Sequence, residues 1–206
     1  MYLAVAGNIG AGKSTLTGIL AERYRLTPVY EVVDENPYLG DFYRDMRRYA
    51  FQSQVFFLAK RLEQHLAQVN PGQFIVQDRT IFEDAAVFAR NLYNEGMMSE
   101  RDFGSYLRLF EAVSQTLRPP DVLVYLSVSV ETLYTRVQQR GRAFEQGLSA
   151  DYLAQLNVLY ERWVDEYTLS PVVRVDADQV DFLASADTLQ ALFAALNECG
   201  LALPLL

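Results

Sequence analysis

The sequence predicts an α/β fold in which a five-stranded parallel sheet is flanked by helices. Five short apolar runs alternate with longer segments of helical periodicity, and parallel strands need such crossover segments to connect them. The first run stops at glycines, as a buried parallel strand feeding a loop would. The chain has 206 residues, 50% of them hydrophobic, and this is enough for one sizeable core. We therefore expect a single domain spanning residues 1–206.

The predicted elements follow the turn and breaker residues along the chain. Strands are predicted at 2–6, 29–33, 74–78, 122–126 and 172–175. Helices are predicted at 13–24, 38–69, 82–93, 100–117, 130–139, 150–167 and 184–197, with a break in the second near 47–49. Ser129 and Ser149 are suited to cap the helices that follow them, and Pro119-Pro120 ends the helix before the fourth strand.

Charge and composition limit the possible partners and the cellular compartment. The formal charge of -8 would repel a nucleic-acid polymer or an anionic membrane over most of the surface. A small anionic ligand therefore needs a local positive site. Cys199 is the lone cysteine, which fits a reducing compartment. The chain has neither a basic leader nor an apolar run of about 18 residues, so we expect a soluble cytoplasmic protein.

The strongest motif is a phosphate-binding loop directly after the first strand. Its pattern is G-x-x-x-x-G-K-[ST], and the first predicted helix begins at its lysine. A position between a strand and a helix is the context that supports this motif. The loop consists of Gly7, Asn8, Ile9, Gly10, Ala11, Gly12, Lys13, Ser14 and Thr15. In such loops backbone N–H groups surround the phosphates, the lysine reaches the β- and γ-phosphates, and the hydroxyl after it can bind Mg²⁺. The sequence thus predicts binding of a nucleoside triphosphate with Mg²⁺.

Acidic residues follow the second and third predicted strands. In parallel sheets the ligand lies at the carboxyl ends of the strands, where residues 31–35 and 78–80 should meet the phosphate loop. The chain carries neither the N-K-x-D guanine-reading motif nor the D-x-x-G switch motif of regulatory GTPases. The sequence therefore argues against a regulatory GTPase and leaves the other classes of phosphate-loop protein, among them motors, transporters and kinases.

Five motifs occur together in an order that resembles the deoxynucleoside kinase family. They are G-N-I-G-A-G-K-S-T, an acid after the second strand, F-Q-S-Q-x6-R, D-R-T and R-x3-R-G-R-x2-E, and they run from Gly7 to Glu145. The resemblance implies a P-loop kinase fold with an arginine-rich lid at about 136–148, ATP and Mg²⁺ as cofactors, and a homodimer formed through helices. It covers about two thirds of the chain.

The resemblance implies roles for the acidic strand ends. Glu31 matches the carboxylate that accepts the proton of the 5′-hydroxyl, and such a general base must lie within hydrogen-bond reach of that group. Asp78 matches the acid on the Mg²⁺ side, together with Ser14. Arg79 matches the arginine that orients the base carboxylate and the 5′-oxygen.

The resemblance also implies an acceptor pocket for a neutral nucleoside. Gln54 and Arg61 are seven residues apart, so they share one helix face, and a glutamine amide can pair with a base edge. Arg61 and Asp84 match a pair that accompanies preference for deoxyadenosine, deoxyguanosine or deoxycytidine. Tyr43 and Glu145 match the residues that contact the sugar 3′-hydroxyl.

Three arginines form the candidate lid. Arg136 and Arg140 are four residues apart on one helix face, and Arg142 follows Gly141, where the chain can bend. Positioned positive charge is the main catalytic resource in phosphoryl transfer. Asp176 to Phe182 resembles the family loop that packs on the ATP adenine.

We therefore expect a kinase that transfers the γ-phosphate of ATP to the 5′-hydroxyl of a deoxyribonucleoside, with a purine as the base, in nucleotide salvage. The stretch Asn36-Pro37-Tyr38-Leu39 resembles bacterial members that take deoxyadenosine or deoxyguanosine. Two alternatives stay open from the sequence. One is a nucleoside monophosphate kinase resembling thymidylate kinase, and the other is a regulatory protein that binds ATP without transferring phosphate.

Overall fold

The structure, a computed structural model, describes residues 1–33, 35–145, 147–178 and 186–200. These residues form a parallel sheet of five strands in the order β2-β3-β1-β4-β5. The strands are β1 (Tyr2–Gly7), β2 (Thr27–Val29), β3 (Ile75–Asp78), β4 (Val122–Ser127) and β5 (Val172–Asp176). The order places β1, which carries the phosphate loop, between β3 and β4, so the loop lies at the centre of the carboxyl edge.

Helices connect all of these strands. They are α1 (Lys13–Tyr24), α2 (Leu39–Arg44), α3 (Met46–Gln64), α4 (Ile81–Glu83), α5 (Arg90–Asn94), α6 (Glu100–Ser114), α7 (Val130–Arg140), α8 (Ala150–Asp165) and α9 (Ala186–Glu198). Two wider π-helical segments continue them, His65–Val69 after α3 and Asp84–Ala89 between α4 and α5. Such segments often occur at functional sites.

The sheet is covered on both faces because its central strands are apolar on both. On one face, side chains of β1, β3 and β4 pack with α1, α7 and α9. On the other face, the alternate side chains of these strands pack with α8 and with the π-helical segment before α5. A third cluster joins α3 to α6 and to α2, beside the sheet. The predicted α/β architecture is confirmed.

The prediction of the second strand is wrong in position. The strand was expected at 29–33, but β2 ends at Val29 and pairs with β3 through Thr27, Pro28 and Val29. Pro28 is tolerated because β2 is an edge strand, where one side of the ladder needs no donor. The apolar residues that follow leave the sheet, and Val33 instead borders the large cavity described below.

The helical region at 38–69 is broken at Asp45, just before the predicted break. Asp45 accepts a hydrogen bond from the backbone N–H of Arg48 at 3.2 Å and so caps α3. The predicted helix at 100–117 ends earlier, at Ser114, and that at 150–167 ends at Asp165. The differences between the predicted and the observed ends are close to the usual uncertainty of helix boundaries. No helix in the described ranges is long and apolar enough to cross a membrane.

The single histidine gives a prediction about pH and stability. His65 is fully buried, and its Nε2–H donates to the carbonyl oxygen of Arg118 at 3.0 Å. Its Nδ1 has no hydrogen-bond partner in the described part of the chain. Burial lowers the pKa of His65 below its usual value of 6.5, and the Arg118 charge acts in the same direction against that hydrogen bond. The ring of the folded protein is therefore mostly neutral at pH 7 and above.

Because the unfolded chain binds this proton more readily, the contribution of His65 is complete above pH 6.5 and is lost as the pH falls below it. One proton corresponds to a slope of about 1.4 kcal/mol per pH unit in the free energy of unfolding. We expect wild type to lose more stability than His65→Gln, which can still donate to the Arg118 carbonyl, when urea unfolding is compared between pH 7.5 and pH 5.5. Parallel losses in the two proteins would contradict this.

Candidate active site

The carboxyl ends of β1 and β3 border a cavity of about 370 Å³. It brings together the phosphate loop, the segment after β2, the turn after β3, one face of α3 and the lid. The predicted site residues on its wall are Ile9, Gly10, Gly12, Lys13, Ser14, Thr15, Glu31, Tyr43, Gln54, Arg61, Asp78, Arg79, Asp84, Arg136, Arg140, Arg142 and Glu145. One space is thus reached by residues far apart in sequence, which is the arrangement that the sequence predicted.

Glycines let the phosphate loop turn tightly against α7. Gly10 has φ 85°, and a β-carbon there would lie 3.0 Å from a methyl group of Val137. Gly12 has φ 97° and begins α1 in the left-handed conformation. The first residues of α1 line the cavity, so the N-terminus of this helix favours an anion there.

Lys13 is the first residue of α1, and a hydrogen bond fixes its side chain. Its ammonium donates to the carbonyl oxygen of Asn8 at 3.0 Å. Burial lowers the pKa of Lys13 to about 8, with Arg79 adding to the effect and nearby carboxylates opposing it. The group is still mostly protonated at pH 7, so it can bind phosphate oxygens.

Ser14 and Asp78 form the part of the site that fits a divalent cation. The Ser14 hydroxyl donates to Oδ2 of Asp78, and Asp78 is buried at the end of β3. The other oxygen, Oδ1, is buried without a hydrogen-bond partner among the described residues. A hydroxyl beside an unsatisfied carboxylate oxygen is the kind of oxygen ligand set that Mg²⁺ takes next to a bound phosphate.

Glu31 lies in a buried cluster of two carboxylates and two guanidiniums. Its Oε1 accepts from Nη2 of Arg61 at 2.9 Å, and its Oε2 lies 3.3 Å from Nε of Arg79. Arg61 also donates from Nε to Asp84. Arg61 comes from α3 and Arg79 from the turn after β3, so each oxygen of the Glu31 carboxylate faces a different arginine.

These cations keep Glu31 ionised. Burial alone raises the pKa of Glu31, but Arg79, Arg61 and Lys13 outweigh burial and lower it to about 2. A carboxylate with so low a pKa accepts a hydrogen bond well but has little driving force to take a proton. Its arrangement therefore suits orienting a hydroxyl group and receiving its proton late in a transfer.

One end of the cavity fits a planar base. Gln54 and Arg61 are both buried on the same face of α3, as predicted, and Phe57 lies between them on the wall. Asp84 is the first residue of the π-helical segment, and its carboxylate accepts a hydrogen bond from Arg61. An amide, a guanidinium and a carboxylate thus offer donors and acceptors beside an aromatic ring.

The lid brings Glu145 to the rim of the same cavity. Arg140 donates to both carboxylate oxygens of Glu145, with Nη2 at 2.6 Å from each, and Nη1 of Arg142 lies 3.7 Å from Oε1. The ring of Tyr43 stacks on Phe144 with centroids 6.1 Å apart. The lid therefore packs over α2 through an aromatic pair, and two of its arginines are paired with Glu145.

Arg136 approaches the cavity from α7 and donates to the carbonyl oxygen of Ala177 at 2.9 Å. Asp176 ends β5 and accepts from the backbone N–H of Asp178, but it does not line the cavity. Phe182, predicted beside it, lies outside the described residues. Gly7, Asn8 and Ala11 belong to the phosphate loop but do not line the cavity.

The cavity is positive although the chain is negative. Six cationic side chains and four carboxylates line it, a balance of +2 against the chain's -8. The cations are Lys13, Arg61, Arg79, Arg136, Arg140 and Arg142. A net positive lining favours the binding of an anionic ligand. The local positive site that the composition required is present.

Sequence reasoning missed the apolar part of the wall. Phe88 lies beneath the guanidinium of Arg79, 4.2 Å from ring centroid to Cζ, and Tyr152 extends from the first turn of α8. Other cavity-lining residues that were not predicted are Val33, Leu39, Phe42, Phe57 and Phe144. Aromatic and aliphatic residues at helical spacing look like core residues in a sequence. Only the structure shows that these residues line the cavity.

The fold and the site together define a P-loop phosphotransferase. Residues 3–199 match the family model described as deoxynucleoside kinase. The chain belongs to the deoxynucleoside kinase family. The kinase class that the five motifs indicated is thereby confirmed.

Several curated relatives match most of the chain. A deoxyadenosine/deoxycytidine kinase of Bacillus subtilis is 38% identical over 190 residues, which are 91% of this chain and 88% of the relative. A deoxyguanosine kinase of Lactobacillus johnsonii is 36% identical over 212 residues, with 96% and 93% covered. The structure of deoxyadenosine kinase from M. mycoides with bound dATP has a TM-score of 0.85 at 29% identity, and covers 96% of this chain and 100% of that one.

Proposed function

We propose that this kinase transfers the γ-phosphate of ATP to the 5′-hydroxyl of a deoxyribonucleoside, with deoxyadenosine or deoxyguanosine as the preferred acceptor. The observation that carries the proposal is the order of groups along one cavity. Ser14 of the phosphate loop donates to Asp78, and the next residue, Arg79, contacts Glu31. Glu31 in turn contacts Arg61, which pairs with Asp84 and shares a helix face with Gln54. An acceptor bound by its base would thus present its hydroxyl to a phosphate held by Lys13.

On the donor side, the phosphate loop and the lid arginines would surround the triphosphate. Lys13, Arg136, Arg140 and Arg142 supply charge where the transferred phosphoryl group carries it in the transition state. Ser14 and Asp78 would hold Mg²⁺, which neutralises charge between the phosphates when it is bound. The unsatisfied Oδ1 of Asp78 supports this assignment.

On the acceptor side, Glu31 would receive the hydroxyl hydrogen bond and Arg79 would hold the carboxylate in place. Tyr43 and Glu145 would contact the 3′-hydroxyl from α2 and from the lid. Because Glu145 is paired with Arg140, a sugar hydroxyl that engages Glu145 would free this arginine for the phosphates. Acceptor binding and lid charge would in this way be coupled.

Base preference would follow from the Asp84 carboxylate, which can only accept hydrogen bonds. Adenine and cytosine carry exocyclic amino groups that can donate to it, and the Arg61 guanidinium beside it can donate to O6 of guanine. Thymine has no exocyclic amino group to donate to Asp84, and its C5 methyl group would meet the polar Arg61–Asp84 pair. The names of the relatives, which include deoxyadenosine and deoxyguanosine kinases, support a purine acceptor.

Assembly and location are part of the proposal. Leu109 of α6 is 45% exposed, and Phe110 and Val113 are half-buried, which supports a homodimer formed through helices. The charge of -8 supports a protein that works in the cytoplasm without a membrane or nucleic-acid partner.

A steady-state panel with ATP and Mg²⁺ tests the proposed function. We expect deoxyadenosine and deoxyguanosine to give the highest kcat/KM, with deoxycytidine next. Thymidine should be at least about tenfold poorer, since a site that hydrogen-bonds an amino group discriminates strongly against a base that lacks one. The four deoxynucleoside monophosphates serve as the control and should not react. If only monophosphates react, the protein is a monophosphate kinase; if none of the eight reacts, it binds ATP without this activity.

A further inference from the structure

The turn after β3 holds Arg79 in an unusual backbone conformation. Its φ is 67°, in the left-handed region that residues other than glycine rarely adopt. The backbone N–H of Arg79 donates to the carbonyl oxygen of Val5 at 3.0 Å, so the turn is tied to β1 on one side. A strained residue at a site persists only when its surroundings hold it. The residues that hold the other side of this turn therefore matter for the site.

Glu83 holds that other side. Its Oε1 accepts a hydrogen bond from the backbone N–H of Thr80 at 2.7 Å, and its Oε2 accepts from the hydroxyl of Tyr160 at 2.6 Å. The Glu83 side chain is fully buried. Burial raises the pKa of Glu83, although Arg79 and Lys13 oppose this. A carboxylate kept in such a place needs these donors, and both of its oxygens have one.

The same tyrosine also supports the side chain of Arg79. The guanidinium lies 4.2 Å from the ring centroid of Phe88, and the Phe88 ring meets Tyr160 edge to face at 6.1 Å. Tyr160 thus contacts both the carboxylate that fixes the Arg79 backbone and the ring beneath its guanidinium. Phe88 and Glu83 both lie in the segment that follows the turn.

Helix α8 anchors the phosphate loop through a neighbouring side chain. Asn157, one turn before Tyr160, accepts from Nδ2 of Asn8 at 2.6 Å and donates to the carbonyl oxygen of Val128 at 2.8 Å. Residues three apart on a helix share a face. One face of α8 therefore contacts both the loop that carries Lys13 and the turn that carries Arg79.

We propose that Glu83 is a positioning residue that fixes Arg79 for phosphoryl transfer, and that Tyr160 holds Glu83 from α8. This inference rests on the proposed function, because Arg79 orients Glu31 there. What it requires is an acceptor for the Thr80 N–H. A glutamine amide oxygen can supply that acceptor without the charge.

The test compares Glu83→Ala with Glu83→Gln in the full chain. In Glu83→Ala the turn loses its acceptor, and we expect kcat for the best deoxynucleoside of the panel to fall about 10²-fold, the cost of a misplacement near 1 Å. KM for ATP should change less than about threefold, because Asn157 still holds the phosphate loop. Glu83→Gln should recover kcat to within about tenfold of wild type, since its hydrogen bonds can re-form.

A second tyrosine–glutamate pair, formed between Tyr125 of β4 and Glu161 of α8, is the control. The Tyr125 hydroxyl donates to Glu161 at 2.8 Å, and neither residue lines the cavity. We expect Tyr160→Phe to lower kcat several-fold and Tyr125→Phe to leave it unchanged. If Glu83→Ala does not fold, the comparison of kcat between Tyr160→Phe and Tyr125→Phe tests the inference.

Three results would overturn the inference. They are an unchanged kcat in folded Glu83→Ala or in Tyr160→Phe, a Glu83→Gln as poor as Glu83→Ala, or an equal loss in Tyr125→Phe. A wild type that phosphorylates no deoxynucleoside would instead remove the proposed function itself. An active wild type with an equally active Glu83→Ala removes only this inference.

Discussion

Replacing Glu31 by Gln is expected to lower kcat by about 10²–10³ while ATP binding survives. General-base residues contribute factors of about this size, and the Gln amide cannot accept the hydroxyl proton. Lys13 and the phosphate loop do not depend on this carboxylate for their backbone conformation, so the dissociation constant for ATP measured by calorimetry should change little. The measurement is steady-state phosphorylation of deoxyadenosine beside that titration.

The pH dependence adds a second readout. Because the pKa of Glu31 is lowered to about 2, the folded enzyme keeps this group ionised throughout the working range, and kcat should show no acidic limb from it above pH 4. Glu35→Gln is the matched control, since Glu35 is exposed and pairs only with Lys60 among the described residues. An unchanged kcat in Glu31→Gln would remove Glu31 from the reaction.

Replacing Lys13 by Met should be at least as severe, with kcat/KM for ATP reduced about 10³-fold. Methionine fills similar space but removes the ammonium that would meet the β- and γ-phosphates, and the loss of one positioned donor to developing charge typically costs this much. The chain contains one other lysine, Lys60. Lys60 forms ion pairs with Glu35 at 2.9 Å and Glu63 at 3.2 Å on the surface.

Lys60→Met is thus a control with the same chemical change. Surface ion pairs contribute little to stability, so its kcat/KM should stay within about twofold of wild type. Equal losses in the two variants, or a Lys13→Met with near wild-type activity, would contradict the assignment of the phosphate loop as the donor site.

Local signals made the phosphate loop predictable. The motif depends on contiguous residues and on backbone conformation, so both its position and the helix beginning at Lys13 could be read from the sequence. The strands β1, β3 and β4 were also predictable, because strands buried on both faces are rich in consecutive apolar residues.

The edge strand could not be placed in this way. Two residues of β2, Thr27 and Pro28, are exposed and carry no hydrophobic signal, while the apolar residues after Val29 leave the sheet. The apolar pattern at 29–33 therefore indicated burial of apolar side chains, but not pairing with a neighbouring strand. At Val33 that burial belongs to the cavity wall.

The polar residues of the site could be predicted from the sequence, but the hydrogen bonds and ion pairs between them could not. Family resemblance indicated Glu31, Arg61, Arg79 and Asp84, but the sharing of Glu31 between two arginines depends on side-chain placement. Glu83 had a visible signal, since T-x-x-E is a capping box. That signal indicates a helix start, and only the contact with Tyr160 connects it to the site.

The most direct test of the central claim is to identify the product formed from deoxyadenosine and ATP by phosphorus NMR. Lys13, Glu31 and Gln54 line one cavity, and the account predicts ADP together with a 5′-monophosphate, whose phosphorus couples to the two H5′ protons. A 3′-monophosphate, or free inorganic phosphate without a new nucleotide, would contradict it.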